Sequence, residues 1–238
     1  MIKLCDDFES LPISMFSVRL DATNKAYKGQ PFLLNWTQFV DDIPVAFLQK
    51  VYNSLTVLTT QGADLDEIRQ FINVVGADSV FATKELGFDN FGFIMKCKNP
   101  PCEKPSVKEI KTPDYKRIYD NLKGSFDSLD FEGFYLDFSH RVRHNTARVF
   151  ADDNYNAVLT VGWETENSAV VSAVSVKKEF QNQGLGKSLI NSALYSLKNK
   201  TVYLYCQGEN VPFYEKCGYE ICGEFSLHNI RGKNEKSI

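Results

Sequence analysis

The sequence is poor in the residues from which most metal sites are built. Its 238 residues include three histidines and six cysteines, and no two cysteines form a C-x-x-C pair. Zinc-site spacing is therefore absent, and we expect no metal. Cys97 and Cys102 bracket the turn sequence KNPP. For this pair we expect free thiols in a reducing cytoplasm rather than a disulfide.

Long hydrophobic runs and an excess of one charge are missing as well. No segment approaches the roughly 20 apolar residues of a membrane span, and the start, MIKLCDDFESLP, lacks the apolar core of a secretory signal. We therefore predict a cytoplasmic protein with no membrane partner. The 27 basic and 30 acidic residues leave a net charge of -3. No dense basic field points to nucleic acid.

A proline-rich, charged stretch divides the chain. Residues 96–115 contain four of the eight prolines and have no apolar period, which is typical of a linker. We expect a first domain over 1–100, a linker over 101–112 and a second domain over 113–238.

Apolar periodicity predicts alternating strands and helices in both halves. In the first half, we expect strands at 31–40, 54–60 and 79–86 and a helix at 64–76. In the second half, we expect helices at 113–126, 185–199 and 210–218 and strands at 146–154, 156–165, 168–176, 201–207 and 219–227. Alternation along 168–176 places Val170, Ser172, Val174 and Val176 on one face of the sheet.

The stretch EFQNQGLGKSLI (179–190) contains a glycine-rich turn between a predicted strand and a predicted helix. Backbone N–H groups in such a turn converge on an anion, and the helix dipole adds to the attraction. A P-loop would need a glycine at position 181, which is Gln181. A dinucleotide fingerprint would need a small residue at position 189, which is Leu189. On its own, the turn fits either an anion site or a plain strand-to-helix connection.

Two motifs in the correct order resemble the GCN5-related N-acetyltransferase (GNAT) family. The first is Q-x-x-G-x-G at Gln181, Gly184 and Gly186; the second is N-x-x-F-Y-x-K-x-G-Y at 210–219. The resemblance covers about 146–227. It implies a mixed, mostly antiparallel α/β sheet with a splayed central strand flanked by helices. It also implies acetyl-CoA (coenzyme A) as cosubstrate.

The resemblance assigns roles to individual residues. The turn would hold the pyrophosphate of acetyl-CoA, and the preceding strand would pair with the pantetheine arm. A backbone N–H of Val174 or Val176 would bind the developing oxyanion. The cofactor-binding set is Val174, Ser175, Val176, Gln181, Asn182, Gln183, Gly184, Leu185, Gly186, Lys187, Ser188 and Asn210. Solvent exposure is the alternative for Lys187, and capping the short helix is an alternative or additional role for Asn210.

Tyr214 occupies the general-acid position of the family, where a protonated phenol can donate to the leaving thiolate. An aromatic core residue is the alternative. The sequence names no general base. Glu164 and Glu166 stand near the end of a strand, and His140 and His144 lie in a basic stretch, but all four also suit a solvated surface.

The resemblance implies an acyltransferase that acetylates a small-molecule or peptide amine by direct attack in a ternary complex. The alternative is a non-catalytic CoA-binding module. A net charge of -3 is too small to decide for a cationic acceptor such as a polyamine, an aminoglycoside or a lysine side chain. Both a monomer and a homodimer are consistent with the sequence.

The first half loosely resembles a second, degenerate GNAT half, which would make the chain a tandem GNAT protein. The equivalent turn, TTQGADLDE (59–67), has one glycine and carries Asp64, Asp66 and Glu67. Because acidic side chains repel a pyrophosphate, we expect this half not to bind CoA. We expect it to shape the acceptor pocket instead, as ligand sites often lie between domains. An unrelated α/β lid is the alternative.

Overall fold

The computed structural model describes residues 1–8, 10–98, 106–123 and 130–229. The strands are β1 (Ile2–Cys5), β2 (Leu33–Val40), β3 (Ile43–Val51), β4 (Ser54–Thr59), β5 (Ser79–Thr83), β6 (Asn90–Cys97), β7 (Lys108–Glu109), β8 (Arg148–Ala151), β9 (Ala157–Glu164), β10 (Ser168–Val176), β11 (Thr201–Cys206) and β12 (Tyr219–Asn229). The helices are α1 (Met15–Tyr27), α2 (Leu65–Val75), α3 (Tyr115–Lys123), α4 (Phe131–Arg143), α5 (Leu185–Ser196) and α6 (Val211–Glu215).

All of these strands belong to one sheet with the order β1-β2-β3-β4-β5-β12-β6-β11-β10-β9-β8-β7. Strands β1 to β6 of the first half correspond in chain order to β7 to β12 of the second half. Counted inward from the two ends of the sheet, corresponding strands occupy the same positions. The pairings β4–β5 and β10–β11 are parallel, and the other pairings are antiparallel. The two halves therefore share one topology, which confirms the predicted mixed, mostly antiparallel sheet.

The halves exchange their last strands. Strand β6 of the first half lies between β12 and β11, and strand β12 of the second half lies between β5 and β6. Helix α1 strengthens this junction because Phe16 and Leu20 pack in one cluster with Phe81 of β5 and Val170 of β10. The central core is thus built from both halves.

A β-bulge changes the direction of β10. The register with β9 pairs Val170 with Trp163, Val171 with Val161 and Ala173 with Thr160, so that Gly162 and then Ser172 are skipped. A side chain at Gly162 would come within 2.7 Å of the Ser172 hydroxyl oxygen. Glycine therefore permits the irregularity.

The bulge makes the predicted face assignment of β10 wrong. Val170 packs in the cluster of α1, whereas Val171, Val174 and Val176 pack in the cluster of α5. One skipped residue reverses the alternation of a strand, so Val170 does not share a face with Val174.

Most predicted elements are present, but the structure adds several. Strands β1, β3 and β6 and helices α1 and α4 were not predicted. Strand β7 lies within the stretch assigned to the linker and pairs with β8. Residues 101–105 of the linker, including Cys102, and the end of the predicted helix at 113–126 lie outside the described residues.

Candidate active site

Strands β10 and β11 separate part-way along their length. Their parallel pairing runs from Ser168↔Thr201 to Val171↔Leu204. Beyond that point β10 continues to Val176 along β9, and β11 continues to Cys206 along β6. The separation begins at the bulge, and it opens the sheet on the side where α5 starts.

The glycine-rich turn leaves the start of α5 uncapped. Asn182 and Gly184 have φ angles of 61° and 81° in the left-handed region, a conformation that turns successive N–H groups toward one point. Gly184 is the N-cap of α5, and no described side chain caps this helix. Gln181 holds the turn to the strand by donating from Nε2 to the Val176 carbonyl at 3.0 Å. This geometry suits a phosphate group.

A cavity of about 430 Å³ lies between the turn, β10 and α6. Gly186 forms part of its wall, and a Cβ at this position would lie 3.2 Å from Cζ of Phe213 and 3.8 Å from Cγ2 of Val176. The close approach explains why glycine stands here although its φ is ordinary. Any side chain would narrow the passage between the turn and the Phe213 ring.

The cavity brings together most of the predicted cofactor-binding residues. It is lined by Val174, Val176, Gln181, Asn182, Gly184, Leu185, Gly186, Lys187 and Asn210, together with Phe180, Phe213 and Tyr214. Three predicted residues are not among the described lining residues. Ser175 is buried and donates to the Asn121 carbonyl at 3.3 Å, Gln183 donates to the Glu179 carbonyl at 3.3 Å, and Ser188 is not among the described lining residues. Phe180 was missed because it precedes the motif.

Tyr214 stands where this cavity meets a second one of about 640 Å³. Burial, followed by the nearby Cys206 and Cys217 thiols, raises the pKa of the Tyr214 phenol well above its ordinary value. Asn210 also lines both cavities, and it makes no capping hydrogen bond to α6 within the described chain. The capping role for Asn210 is therefore not seen.

The second cavity is built from both halves of the chain. Arg19 of α1 and Phe81 of β5 face Trp163 of β9 and Tyr205 of β11 around it. Position 19 belongs to no motif, and the helix that carries it was not predicted. The two cavities share Val174, Asn210 and Tyr214.

Comparison with known proteins agrees with this geometry. Residues 145–221 match the family model described as the acetyltransferase (GNAT) domain. These residues form a GNAT domain. No curated protein sequence matches the chain significantly.

Solved structures share the fold over both halves. A GNAT from Sphaerobacter thermophilus has a TM-score of 0.55 at 13% identity, covering 88% of this chain and 84% of its own. A GNAT-family acetyltransferase from Colwellia psychrerythraea has a TM-score of 0.53 at 12% identity, covering 95% and 98%. A tandem GNAT protein from the clavulanic acid biosynthesis pathway has a TM-score of 0.55 at 13% identity, covering 93% and 88%. These likenesses show the fold, which the tandem GNAT protein shares, and the GNAT fold and domain support acyl transfer in general.

The four base candidates lie outside these two cavities, as far as their described lining goes. Glu164 is buried and pairs with Arg148 and with Lys200, the latter at 2.8 Å, so the solvated position expected for it is wrong. Glu166 is exposed in a turn. His140 stacks on Tyr27 with its Nε2 2.7 Å from the Ala26 carbonyl, and the exposed His144 stacks on His140.

Glu209 was missed by sequence reasoning. It is exposed, precedes Asn210, and is the one Asp or Glu among the described residues that line these two cavities.

The described ranges contain no group of three or more His, Cys, Asp or Glu side chains placed to hold a metal ion. In those ranges, no helix combines the length and the apolar character needed to cross a membrane.

Proposed function

We propose that this protein is an acetyl-CoA-dependent N-acetyltransferase that acetylates a primary amine by direct attack in a ternary complex. The observation that carries the proposal is the meeting of two cavities at Tyr214. One cavity ends at an uncapped helix N-terminus that suits phosphates. The other has room for a separate acceptor, and both open where β10 leaves β11.

The residues of the first cavity fit acetyl-CoA. The turn from Asn182 to Lys187 would hold the pyrophosphate through backbone N–H groups, and Lys187, which is exposed at the rim, would add a positive charge. The part of β10 from Ser172 to Val176, no longer paired with β11, would bond the pantetheine amides. Bound acetyl-CoA would supply a thioester carbon at which the amine nitrogen forms a C–N bond as the C–S bond breaks.

Two side chains would handle the protons. Tyr214 keeps its proton at neutral pH, because burial raises its pKa, and would donate it to the departing thiolate. Glu209 lines the acceptor cavity, and we assign it the removal of the amine proton, directly or through a water. A backbone N–H of Val174 or Val176 would bind the developing oxyanion.

The first half would contribute the acceptor cavity and no cosubstrate site. Its helix α2 is capped by the Asp64 carboxylate, which accepts from the N–H groups of Asp66 and Glu67. Its parallel strands β4 and β5 stay joined at the position that corresponds to the separation of β10 and β11, because the Thr59 and Thr83 hydroxyls lie 2.5 Å apart. At the start of α2 and between β4 and β5, the described residues leave neither an open helix N-terminus nor a cleft for a second CoA.

Thermal unfolding with saturating acetyl-CoA, Mg-ATP or NAD tests cosubstrate binding. A ligand at 100 times its dissociation constant stabilises by about 2.7 kcal/mol, which is roughly 5–10 °C for a chain of this size. We expect a shift with acetyl-CoA alone. A shift with Mg-ATP alone would contradict the proposal.

Release of free CoA in the presence of an amine panel tests catalysis. Amine-dependent release supports the transferase. A thermal shift with acetyl-CoA but no release with any amine would favour the alternative, a non-catalytic CoA-binding module. The cytoplasmic location and the choice between monomer and homodimer stay predictions.

A further inference from the structure

The acceptor cavity contains a half-buried arginine, Arg19, whose Nε is buried and whose guanidinium has aromatic neighbours. Cζ of Arg19 lies 3.9 Å from the ring centre of Trp163 and 4.3 Å from that of Phe81. Nη2 reaches the Thr56 hydroxyl at 3.5 Å, and Nε is buried without a hydrogen-bond partner among the described residues. Donor capacity of this side chain is therefore left unused.

Arg19 differs from two other arginines that are wholly or partly buried. Arg141 is bound by Asp137, with Nε 2.9 Å and 3.0 Å from the two carboxylate oxygens. Arg148 is bound by Glu164. Arg19 forms no salt bridge with any described carboxylate. An unpaired buried charge is costly, and stacking on aromatic rings offsets only part of that cost.

Arg19 remains a cation under physiological conditions. Burial, the largest cause, lowers its pKa, Tyr205 raises it through its charge and a side-chain hydrogen bond, Arg141 lowers it and Asp137 raises it, which together leave the pKa at about 10. A guanidinium that stacks through its face presents its N–H donors at the edge, which is the geometry that binds a carboxylate through two hydrogen bonds.

We propose that Arg19 binds a carboxylate of the acceptor, so that the substrate is a small amine that also carries a carboxylate, as an amino acid does. This inference rests on the proposed transferase function and names its substrate class. Aromatic side chains of the same cavity, among them Phe81, Tyr205 and Phe225, would cover an apolar body. The resulting acceptor is zwitterionic, unlike a polyamine or an aminoglycoside.

A carboxylate that has no amine tests binding separately from catalysis. The probe is 3-phenylpropanoate, titrated calorimetrically into the full chain with CoA present, and 3-phenylpropan-1-ol is its uncharged counterpart. We expect the carboxylate to bind at least tenfold more tightly than the alcohol. Arg19→Met should remove this preference, and Arg19→Lys should keep part of it. Arg69→Met removes an exposed arginine that pairs with Asp66, and it should leave the preference for the carboxylate over the alcohol unchanged.

Thermal unfolding of the variants separates binding from a structural role. If Arg19 serves a ligand, Arg19→Met removes a half-buried cation that has no carboxylate partner, and the melting temperature of the ligand-free protein stays the same or rises. A melting temperature lowered by several degrees, with the preference for the carboxylate intact in Arg19→Lys and Arg19→Met, would overturn the inference.

Turnover with phenylalanine and phenethylamine distinguishes the two levels of the proposal. We expect kcat/KM for phenylalanine to exceed that for phenethylamine by at least tenfold, and Arg19→Met to cancel the difference. Equal turnover of both amines, unaffected by Arg19→Met, would overturn the Arg19 inference and leave the transferase intact. Carboxylate binding that depends on Arg19, without turnover of any amine, would overturn the transferase and leave the carboxylate site.

Discussion

Asp64 and Gly184 hold the same position in the two halves, and they leave their helices in opposite states. Each is the N-cap of the helix that joins a pair of parallel strands. The Asp64 carboxylate accepts hydrogen bonds from two N–H groups of α2, at 3.0 Å and 3.1 Å. Gly184 has no side chain with which to do the same for α5. One helix start supplies its own anion, and the other is open to a phosphate.

This difference predicts where acetyl-CoA affinity resides. Gly186→Asp places a carboxylate in the turn, and we expect acetyl-CoA to bind at least 100-fold more weakly. Gly186→Ala should weaken binding less, because its Cβ only crowds the Phe213 ring at 3.2 Å. Calorimetric titration of acetyl-CoA measures both variants, and raising the salt concentration should narrow the gap between them.

Asp64→Ala is the matched variant of the first half. It removes the α2 cap and should lower the free energy of unfolding by about 1 kcal/mol. Acetyl-CoA affinity should not change. A loss of affinity in Asp64→Ala, or none in Gly186→Asp, would show that the two helix starts had been assigned to the wrong roles.

Tyr214 is expected to act on kcat. Tyr214→Phe keeps the ring that packs against Phe213 and Tyr219 and removes the proton donor. We expect kcat to fall by roughly 100-fold, with the dissociation constant of acetyl-CoA within twofold of the wild-type value. An unchanged kcat would remove the general-acid role.

The raised pKa of Tyr214 gives a pH dependence with a definite sign. Because the folded state holds this proton more tightly than the unfolded state, its contribution to stability is complete below the ordinary tyrosine pKa of about 10 and is lost as the pH rises above it. Activity should therefore show no loss from Tyr214 ionisation up to pH 10. Comparing the pH–rate profiles of the wild type and Tyr214→Phe measures this. A loss of wild-type activity below pH 10 that the variant does not show would contradict it.

Glu209 is expected to limit the reaction only while the amine is protonated. Glu209→Gln should lower kcat/KM for the amine by roughly 10–100-fold near neutral pH. The deficit should shrink as the pH rises through the pKa of the amine, because free amine then needs no base. A deficit independent of pH would mean that Glu209 acts in some other way than as a base.

Glu164 is expected to matter for stability and not for chemistry. It is buried between the Arg148 guanidinium and the Lys200 ammonium, so Glu164→Gln leaves both cations facing a neutral amide, with Glu109 at 3.5 Å as the remaining carboxylate partner of Arg148. Chemical denaturation should show a loss of roughly 2–4 kcal/mol, while kcat of the folded protein stays near the wild-type value. The exposed neighbour provides the control, because Glu166→Gln should change the free energy of unfolding by less than about 0.5 kcal/mol.

The second half could be predicted from its sequence because its signals are local. The β-branched run of 168–176 became β10 with the same bounds, and the glycine turn marked the start of α5. The bulge opposite Gly162 could not be foreseen, since it depends on pairing with β9. Helix α1 was missed because it is buried on several sides, and its buried Thr23 and Asn24 break the apolar stripe on which a helix prediction rests. Arg19 was missed together with the helix that carries it.

The exchange of β6 and β12 is the least local feature of the fold, and it predicts that the halves depend on each other. In a fragment of residues 106–238, β11 would lose its neighbour β6, and β12 would lose both of its neighbours, β5 and β6. Unpaired strand edges favour aggregation. We expect this fragment alone to be insoluble or unable to bind acetyl-CoA.

Co-expression with residues 1–105 should restore a soluble complex, because the missing strands come from that half. Size-exclusion chromatography and acetyl-CoA titration measure the result. A soluble 106–238 fragment that binds acetyl-CoA as tightly as the full chain would show that β11 and β12 can pair directly. The first half would then be dispensable for the cosubstrate site, and its role would be confined to the cavity that holds Arg19.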